Sequence, residues 1–118
     1  MCGGSPYFGP PIDVPLKWFK LRRFLGALRF HTRWLIIEYI GEEKRSTEDI
    51  YNYLIKNGEE LTRSGLYYHL SELKNVGIIE VAEYLEEGRG APEKIWKLKT
   101  RRIIIDLLEG KEDEIMEG

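Results

Sequence analysis

Six side chains that can donate hydrogen bonds recur between residues 61 and 77. They are Arg63, Ser64, Tyr67, Tyr68, Ser71 and Lys74. Guanidinium, ammonium and hydroxyl groups can donate to phosphate oxygens and to the acceptor edges of bases. This set of donors suits contact with a nucleic acid better than it suits simple solvation.

The apolar residues of the same stretch predict the element that would present these donors. Leu66, Leu70 and Leu73 recur at i, i+4 and i+7, which is one face of an α-helix. Thr62 is a suitable N-cap, and Gly77 can adopt the left-handed conformation that ends a helix. We therefore expect a helix over residues 62–76 with the leucines buried and the donors outward.

A second helix is predicted just before this one. Ser46 with Asp49 three residues later resembles a capping box, and Asn57-Gly58 is a stop signal. A short turn then leads into the helix over 62–76. Helix, turn and helix together predict a helix-turn-helix.

A β-hairpin, or wing, is predicted after Gly77. Strand-forming residues occupy 78–85 and 94–100, and Trp96 and Leu98 alternate with lysines in the second run. Arg89 lies at the predicted tip between two glycines, where it can approach a narrow minor groove. Glu86, Glu87 and Glu93 oppose that approach, so both outcomes stay open.

The two ends of the predicted domain carry more apolar surface than a small core needs. We expect helices over residues 16–30, 33–40 and 101–109. In the second of these, Thr32 is the predicted cap and Trp34 is expected to be buried. Gly26 predicts a close helix crossing. Surplus apolar surface usually indicates a partner. The residues predicted to contact such a partner are Trp18, Phe19, Phe24, Leu25, Leu28, Ile103, Ile104, Leu107 and Leu108.

Residues 1–15 are rich in glycine and proline and are predicted to form a flexible arm. Either part of this arm docks on a neighbouring subunit, or the segment is disordered. Residues 16–109 form the predicted domain, and 110–118 a frayed acidic tail. The basic face of the first helix can contact a DNA backbone, pair with that tail, or simply be solvated.

The bulk composition restricts the protein class. The chain has 118 residues, a net charge of −2 and one cysteine, Cys2, so no intramolecular disulfide is possible. Net acidity counts against nucleic-acid binding, but six basic residues and no acidic one lie between residues 17 and 35. No signal peptide or membrane span is predicted, which indicates the cytoplasm.

Residues 64–79 resemble the recognition helix and strand entry of ArsR-type winged helix regulators. The shared pattern is His69-Leu70, Leu73, and Gly77 followed by two isoleucines; residues 90–96 are similar to the wing of archaeal members. The resemblance covers residues 29–108 and implies a homodimeric transcription regulator with its first and last helices at the dimer interface. The family's metal-binding cysteines and histidines are absent from the corresponding helices. We therefore expect no metal and no cofactor.

The expected fold is mainly α with a small β-hairpin wing, a winged helix-turn-helix. The expected function is sequence-specific binding of double-stranded DNA, with helix 62–76 in the major groove and wing 86–94 near the minor groove. The predicted DNA-binding residues are Arg63, Ser64, Tyr67, Tyr68, Ser71, Lys74, Arg89, Gly90 and Lys94. The alternative is a protein-interaction module of the transcription machinery. No catalytic motif is recognisable, so we do not expect an enzyme.

Individual positions on the helix carry their own alternatives. Arg63 either contacts a phosphate or a guanine edge, or is a solvated surface arginine. Tyr67 and Tyr68 lie about 100° apart. We expect Tyr67 in the groove and Tyr68 against the preceding helix. We expect His69 to be half-buried and hydrogen-bonded, with base contact as the alternative.

Overall fold

A winged helix architecture is present in the computed structural model, which describes residues 8–14, 18–86 and 92–105. In the described ranges the helices are α1 (Trp18–Ala27), α2 (His31–Ile40), α3 (Thr47–Lys56) and α4 (Arg63–Asn75). The strands are β1 (Ile12–Val14), β2 (Arg45–Ser46), β3 (Ile79–Leu85), β4 (Glu93–Leu98) and β5 (Ile103–Ile105). The predicted fold class is confirmed.

The ends of α3 and α4 follow the predicted local signals. The Ser46 hydroxyl accepts a hydrogen bond from the Asp49 backbone N–H at 3.0 Å, and the Thr62 hydroxyl accepts one from the Gly65 N–H at 3.0 Å. Each cap satisfies one N–H group that a helix start leaves without an internal partner. Gly77 follows α4 with φ of 87°, a conformation that glycine adopts without steric penalty.

The hydrophobic core lies between the helices and the sheet. Leu66, Leu70 and Leu73 of α4 are at most 1% exposed, as predicted. They pack with buried isoleucines of α2 and α3 and with Trp96 of β4. Full burial of each such side chain contributes about 1.5–3 kcal/mol. This packing determines which face of α4 remains available to solvent.

The wing strands belong to a three-stranded antiparallel sheet in the order β2-β4-β3. Trp96 of β4 donates its indole N–H to the Thr47 hydroxyl at 2.9 Å, and that hydroxyl donates to the Lys94 carbonyl at 3.1 Å. The wing is therefore attached to the start of α3. Strand β2 was not predicted, because two residues are too few to show a periodic pattern.

Near the two ends of the described structure, residues 8–14 and 99–105 differ from the sequence prediction. Residues 103–105 form strand β5 rather than part of a helix, and β5 pairs in parallel with β1. Three consecutive β-branched isoleucines favour an extended backbone when a partner strand is present. Thr100 donates to the Pro10 carbonyl at 3.0 Å. Together with the pairing of β1 and β5, this contact holds residues 8–14 of the predicted arm against residues 100–105 of the same chain.

The first two helices also differ in detail from the predictions. Helix α1 ends at Ala27. A Cβ atom placed on Gly26 would meet none of the neighbouring atoms in the described ranges within 4 Å, so among these residues Gly26 does not permit the predicted close crossing. Thr32 does not cap α2, which begins after Phe30 without a side-chain cap. The Thr32 hydroxyl instead donates to the Glu59 carboxylate and ties α2 to the turn before α4.

Candidate nucleic-acid interface

The outward face of α4 carries all six predicted donors in exposed positions: Arg63, Ser64, Tyr67, Tyr68, Ser71 and Lys74. Tyr67 is 50% exposed and Tyr68 is 58% exposed. Because the leucines fix the opposite face in the core, α4 cannot rotate about its axis without exposing them. The helix therefore presents one defined row of hydrogen-bonding side chains.

Arg63, at the start of α4, already has a partner within the protein. Its two terminal nitrogens donate to the two carboxylate oxygens of Glu48 at 2.5 and 3.1 Å. The hydrogen bond from Arg63 holds the pKa of the Glu48 carboxyl below its usual value, and burial opposes this weakly. The Arg63 guanidinium also lies 4.3 Å from the centre of the Tyr51 ring.

A polar crevice of about 190 Å³ lies between α3, α4 and the base of the wing. Tyr67 and Arg63 form one wall and Glu93 of β4 forms another. The Glu93 carboxylate accepts a hydrogen bond from the Glu48 backbone N–H at 2.6 Å, which joins the wing to the first turn of α3. Negative charge at a helix N-terminus is favourable. Glu93 therefore has a structural role that the sequence did not reveal.

A buried arginine behind α4 is the main feature that the sequence prediction missed. Arg33 of α2 is 1% exposed, and it donates to His69 Nδ1 at 2.9 Å and to the Ala27 carbonyl at 2.9 Å. Within the described residues its Nη2 has no hydrogen-bond partner. Arg33 was one of the six basic residues counted between 17 and 35, but its charge is not at the surface. Its spacing to the buried Ile36 and Ile40 was a usable signal, because these positions share one helix face.

His69 is half-buried and hydrogen-bonded, as predicted. Burial lowers its pKa, the adjacent positive charge of Arg33 lowers it further, and Glu59 opposes the shift. Accepting the Arg33 hydrogen bond at Nδ1 places the proton of neutral His69 on Nε2. His69 therefore links α4 to α2 as a neutral group.

Tyr68 packs differently from the expectation. The Arg33 guanidinium lies 5.5 Å from the Tyr68 ring centre, so Tyr68 leans toward α2 and not toward the preceding helix, α3. Tyr67 lies beside the crevice at the base of the wing. The two tyrosines thus flank the α4 face on opposite sides.

The wing residues are described only in part. Lys94 is half-buried, with its ammonium group 5.8 Å from the Trp96 ring centre. Arg89 and Gly90 lie outside the described residues. Their predicted contacts with DNA therefore stay predictions.

The five predicted dimer residues whose side chains are described differ in exposure. Leu25 is 50% exposed and Ile104 is 43% exposed, but Phe24 is 7% exposed and belongs to the core. Leu28 and Ile103 are half-buried beside an apolar pocket of about 270 Å³. The remaining predicted contacts lie outside the described side chains: Trp18, Phe19, Leu107 and Leu108.

Trp34 lines the same pocket and was expected to be buried. It is 45% exposed, and its indole N–H donates to the Leu28 carbonyl at 2.7 Å. Trp34 therefore adds to the exposed apolar surface at this side of the molecule.

The described residues offer neither a metal-binding cluster nor a membrane-spanning helix. They contain no group of three or more histidine, cysteine, aspartate or glutamate residues placed to hold a metal ion. Within the same ranges, every helix is too short or too polar to cross a membrane.

Solved structures provide the only similarities found to known proteins. No family model and no curated protein sequence matches the chain. NolR from Sinorhizobium fredii is 20% identical with a TM-score of 0.52, and the match covers 87% of this chain and 93% of that one. A PadR family transcription regulator from Clostridium difficile is 15% identical with a TM-score of 0.51, over 75% and 81% of the two chains.

A PadR-like transcription factor from Bacteroides fragilis is 21% identical with a TM-score of 0.50, and the match covers 85% of this chain and 81% of that one. At identities this low, the structural matches show a shared fold. They do not assign the chain to the ArsR type in particular. Together with the four helices and the antiparallel sheet of the described residues, they show that the chain has the winged helix fold found in transcription regulators.

Proposed function

We propose that the protein is a sequence-specific transcription regulator that binds double-stranded DNA as a homodimer. The observation that carries this proposal is the outward face of α4, where six hydrogen-bonding side chains are exposed while the leucines behind them are buried. We keep the assignment to the ArsR type, similar to archaeal members, as part of the proposal. The ArsR-type assignment rests on the pattern in residues 64–79, and the similarity to archaeal members rests on residues 90–96.

The dimensions of α4 suit the DNA major groove. The helix has 13 residues and is therefore about 20 Å long. The major groove admits an α-helix and presents a different pattern of donors and acceptors for each base pair. Hydroxyl groups of Ser64, Tyr67 and Ser71 can both donate and accept, so they can read base edges of either kind.

The wing is positioned to follow α4 onto DNA. Strand β4 is attached to α3 through Thr47 and Glu93, so the hairpin and the helix-turn-helix share a common base. We propose that Arg89 and Gly90, which lie between β3 and β4 in the sequence, approach the minor groove and that Lys94 contacts the phosphate backbone. Phosphate contacts of this kind make affinity depend strongly on salt.

A homodimer is supported by exposed apolar side chains on α1, α2 and β5. Leu25, Trp34, Ile104 and Ile105 are between 37% and 50% exposed. An isolated two-stranded pair such as β1–β5 is marginal in water unless something packs on it. We propose that a second copy covers this surface.

Substitutions on α4 test the DNA-reading role directly. We expect Tyr67→Ala to lower affinity for an enriched duplex about tenfold and Arg63→Ala to lower it by a smaller factor, because one good base contact is worth about 1–3 kcal/mol. Lys56→Ala removes one exposed positive charge from the end of α3 and serves as the control. If both α4 variants bind as tightly as the wild type at one fixed salt concentration, α4 is not the reader.

A second candidate is a protein-interaction module that does not read DNA. The observation in its favour is the cluster of Glu48, Asp49 and Glu93 carboxylates at the start of α3 and the base of the wing. This candidate predicts no duplex binding at low salt, together with recovery of a protein partner in a pull-down. Duplex binding that depends on the α4 side chains would exclude it.

A further inference from the structure

We propose that Glu48 competes with DNA for the Arg63 guanidinium and thereby sets how well α4 distinguishes its target from other DNA. The proposal rests on the proposed DNA-binding function and assigns a specificity-determining role to a residue outside the reading helix. It is carried by the two-point contact between Glu48 of α3 and Arg63 of α4.

The contact engages the donors that a DNA acceptor would need. Both terminal nitrogens of Arg63 face the Glu48 carboxylate, at 2.5 and 3.1 Å. A guanine edge is best bound by the same kind of two-point contact. Arg63 therefore cannot bind Glu48 and a guanine through the same pair of N–H groups.

The contact is also accessible and able to open. The Arg63 side chain is 57% exposed and the Glu48 side chain is 47% exposed, so DNA can reach both. An exposed ion pair is weak because water screens it. DNA binding can therefore break the ion pair between Arg63 and Glu48. Without DNA, the carboxylate of Glu48 neutralises the charge of Arg63.

Glu48 cannot follow Arg63 into a groove. Its backbone N–H is held by the Glu93 carboxylate at 2.6 Å, and its neighbour Thr47 is buried and bonded to β4. Arg63 is different, because it lies on the exposed first turn of α4 over the Tyr51 ring. A duplex that uses Arg63 must therefore draw it away from Glu48, and Glu48 stays behind as a carboxylate near the phosphates.

This exchange affects matching and non-matching DNA unequally. Every duplex that uses Arg63 must first break the ion pair with Glu48. A duplex that offers a guanine N7 and O6 at the right place replaces both hydrogen bonds, whereas a single phosphate oxygen replaces them less well. Non-matching DNA therefore leaves Arg63 on Glu48 more often and avoids the cost of opening the pair, so Glu48 lowers affinity for the target more than affinity for non-matching DNA.

The test uses Glu48→Gln, which keeps the backbone N–H bonded to Glu93 and removes the charge. The control is Asp49→Asn, which makes the same charge change one residue away on an exposed side chain that does not contact Arg63. Each is measured alone and combined with Arg63→Ala, using two probes at fixed salt. The probes are an unselected mixed-sequence duplex pool and the duplex that the wild-type protein enriches from it. Unchanged thermal unfolding shows that each variant is folded.

We expect Glu48→Gln to tighten binding to the enriched duplex about threefold more than Asp49→Asn does, because breaking an exposed ion pair changes affinity by only a small factor. The excess is smaller on the unselected pool, so the ratio of target affinity to pool affinity rises. In the Arg63→Ala background the excess disappears.

Three results would overturn the proposal. These are an equal gain for Glu48→Gln and Asp49→Asn, an excess that persists without Arg63, and weaker binding by Glu48→Gln, which would make Glu48 a support for Arg63. A wild-type protein that binds no duplex at low salt is a distinct result, because it removes the proposed function itself along with the exchange.

Discussion

The helix-turn-helix with its wing and the terminal strand pair of this molecule are held together in different ways. In residues 46–98, capped helices pack through leucines that are at most 1% exposed, and side-chain hydrogen bonds tie β4 to α3. The pair β1–β5 joins segments about 90 residues apart through backbone bonds, and Ile104 and Ile105 remain 43% and 37% exposed. The first region is complete in one copy of the chain, whereas the second exposes surface suited to a partner.

The difference is consistent with a division of labour. A DNA-reading surface has to hold its donors in fixed positions, and buried leucines behind α4 do this. A surface that assembles with a second copy must stay apolar and exposed in the single chain. The following predictions test whether the two regions differ as sharply as their packing indicates.

The largest expected difference comes from trimming one apolar side chain in each region. Leu70→Ala should lower the free energy of unfolding by about 2–5 kcal/mol, because it leaves a cavity in the core. Ile104→Ala should change it by about 0.5 kcal/mol or less in dilute protein, because the side chain is partly exposed. Urea unfolding followed by tryptophan fluorescence measures both, and equal losses would show that the terminal pair is as integral as the core.

A smaller effect is expected at the start of α4. Thr62→Ala should lower the free energy of unfolding by about 1 kcal/mol, because the Gly65 N–H loses its acceptor. Ser64→Ala is the matched control, since Ser64 is exposed in the same helical turn. If the two substitutions have the same effect, the Thr62 cap does not stabilise the reading helix.

The smallest expected effect is a pH dependence of stability that originates at His69. The folded protein lowers the pKa of His69, mainly by burial, so the unfolded chain binds the proton more readily. This contribution to stability is therefore complete above about pH 6.5, the usual histidine value, and is lost as the pH falls through the lowered value.

His69→Gln keeps an acceptor for Arg33 and should remove this part of the pH dependence. His31→Gln, at the only other histidine, should leave it in place. Unfolding curves between pH 5 and 8 give the comparison. A wild-type pH slope that survives in His69→Gln would show that His69 is not held neutral by its burial and by Arg33.

The helix-turn-helix and its wing were predictable from sequence because their signals are local. Thr62, Gly77 and the leucines of α4 lie within 16 residues, and each follows a rule of helix caps or helix periodicity. The alternation of Trp96 and Leu98 predicted the return strand in the same way. The exposed row on α4 then followed from the position of the buried row.

The other features depend on contacts between distant segments. Strand β5 exists because Ile103 meets Ile12, and a run of isoleucines alone does not distinguish a strand from a buried helix. The Glu48–Arg63 pair depends on how α3 and α4 cross, which no pattern within either helix specifies. Arg33 is different, because its spacing to Ile36 and Ile40 placed it on the buried face.

Selection of bound fragments from a random duplex pool at two salt concentrations tests the central claim most directly. We predict enrichment of a palindrome whose half-sites are about 10 base pairs apart, since a two-fold dimer places two copies of α4 one helical turn apart. Binding should weaken steeply at the higher salt concentration. Uniform retention of all sequences, or no retention at the lower salt concentration, would contradict a sequence-specific dimeric regulator.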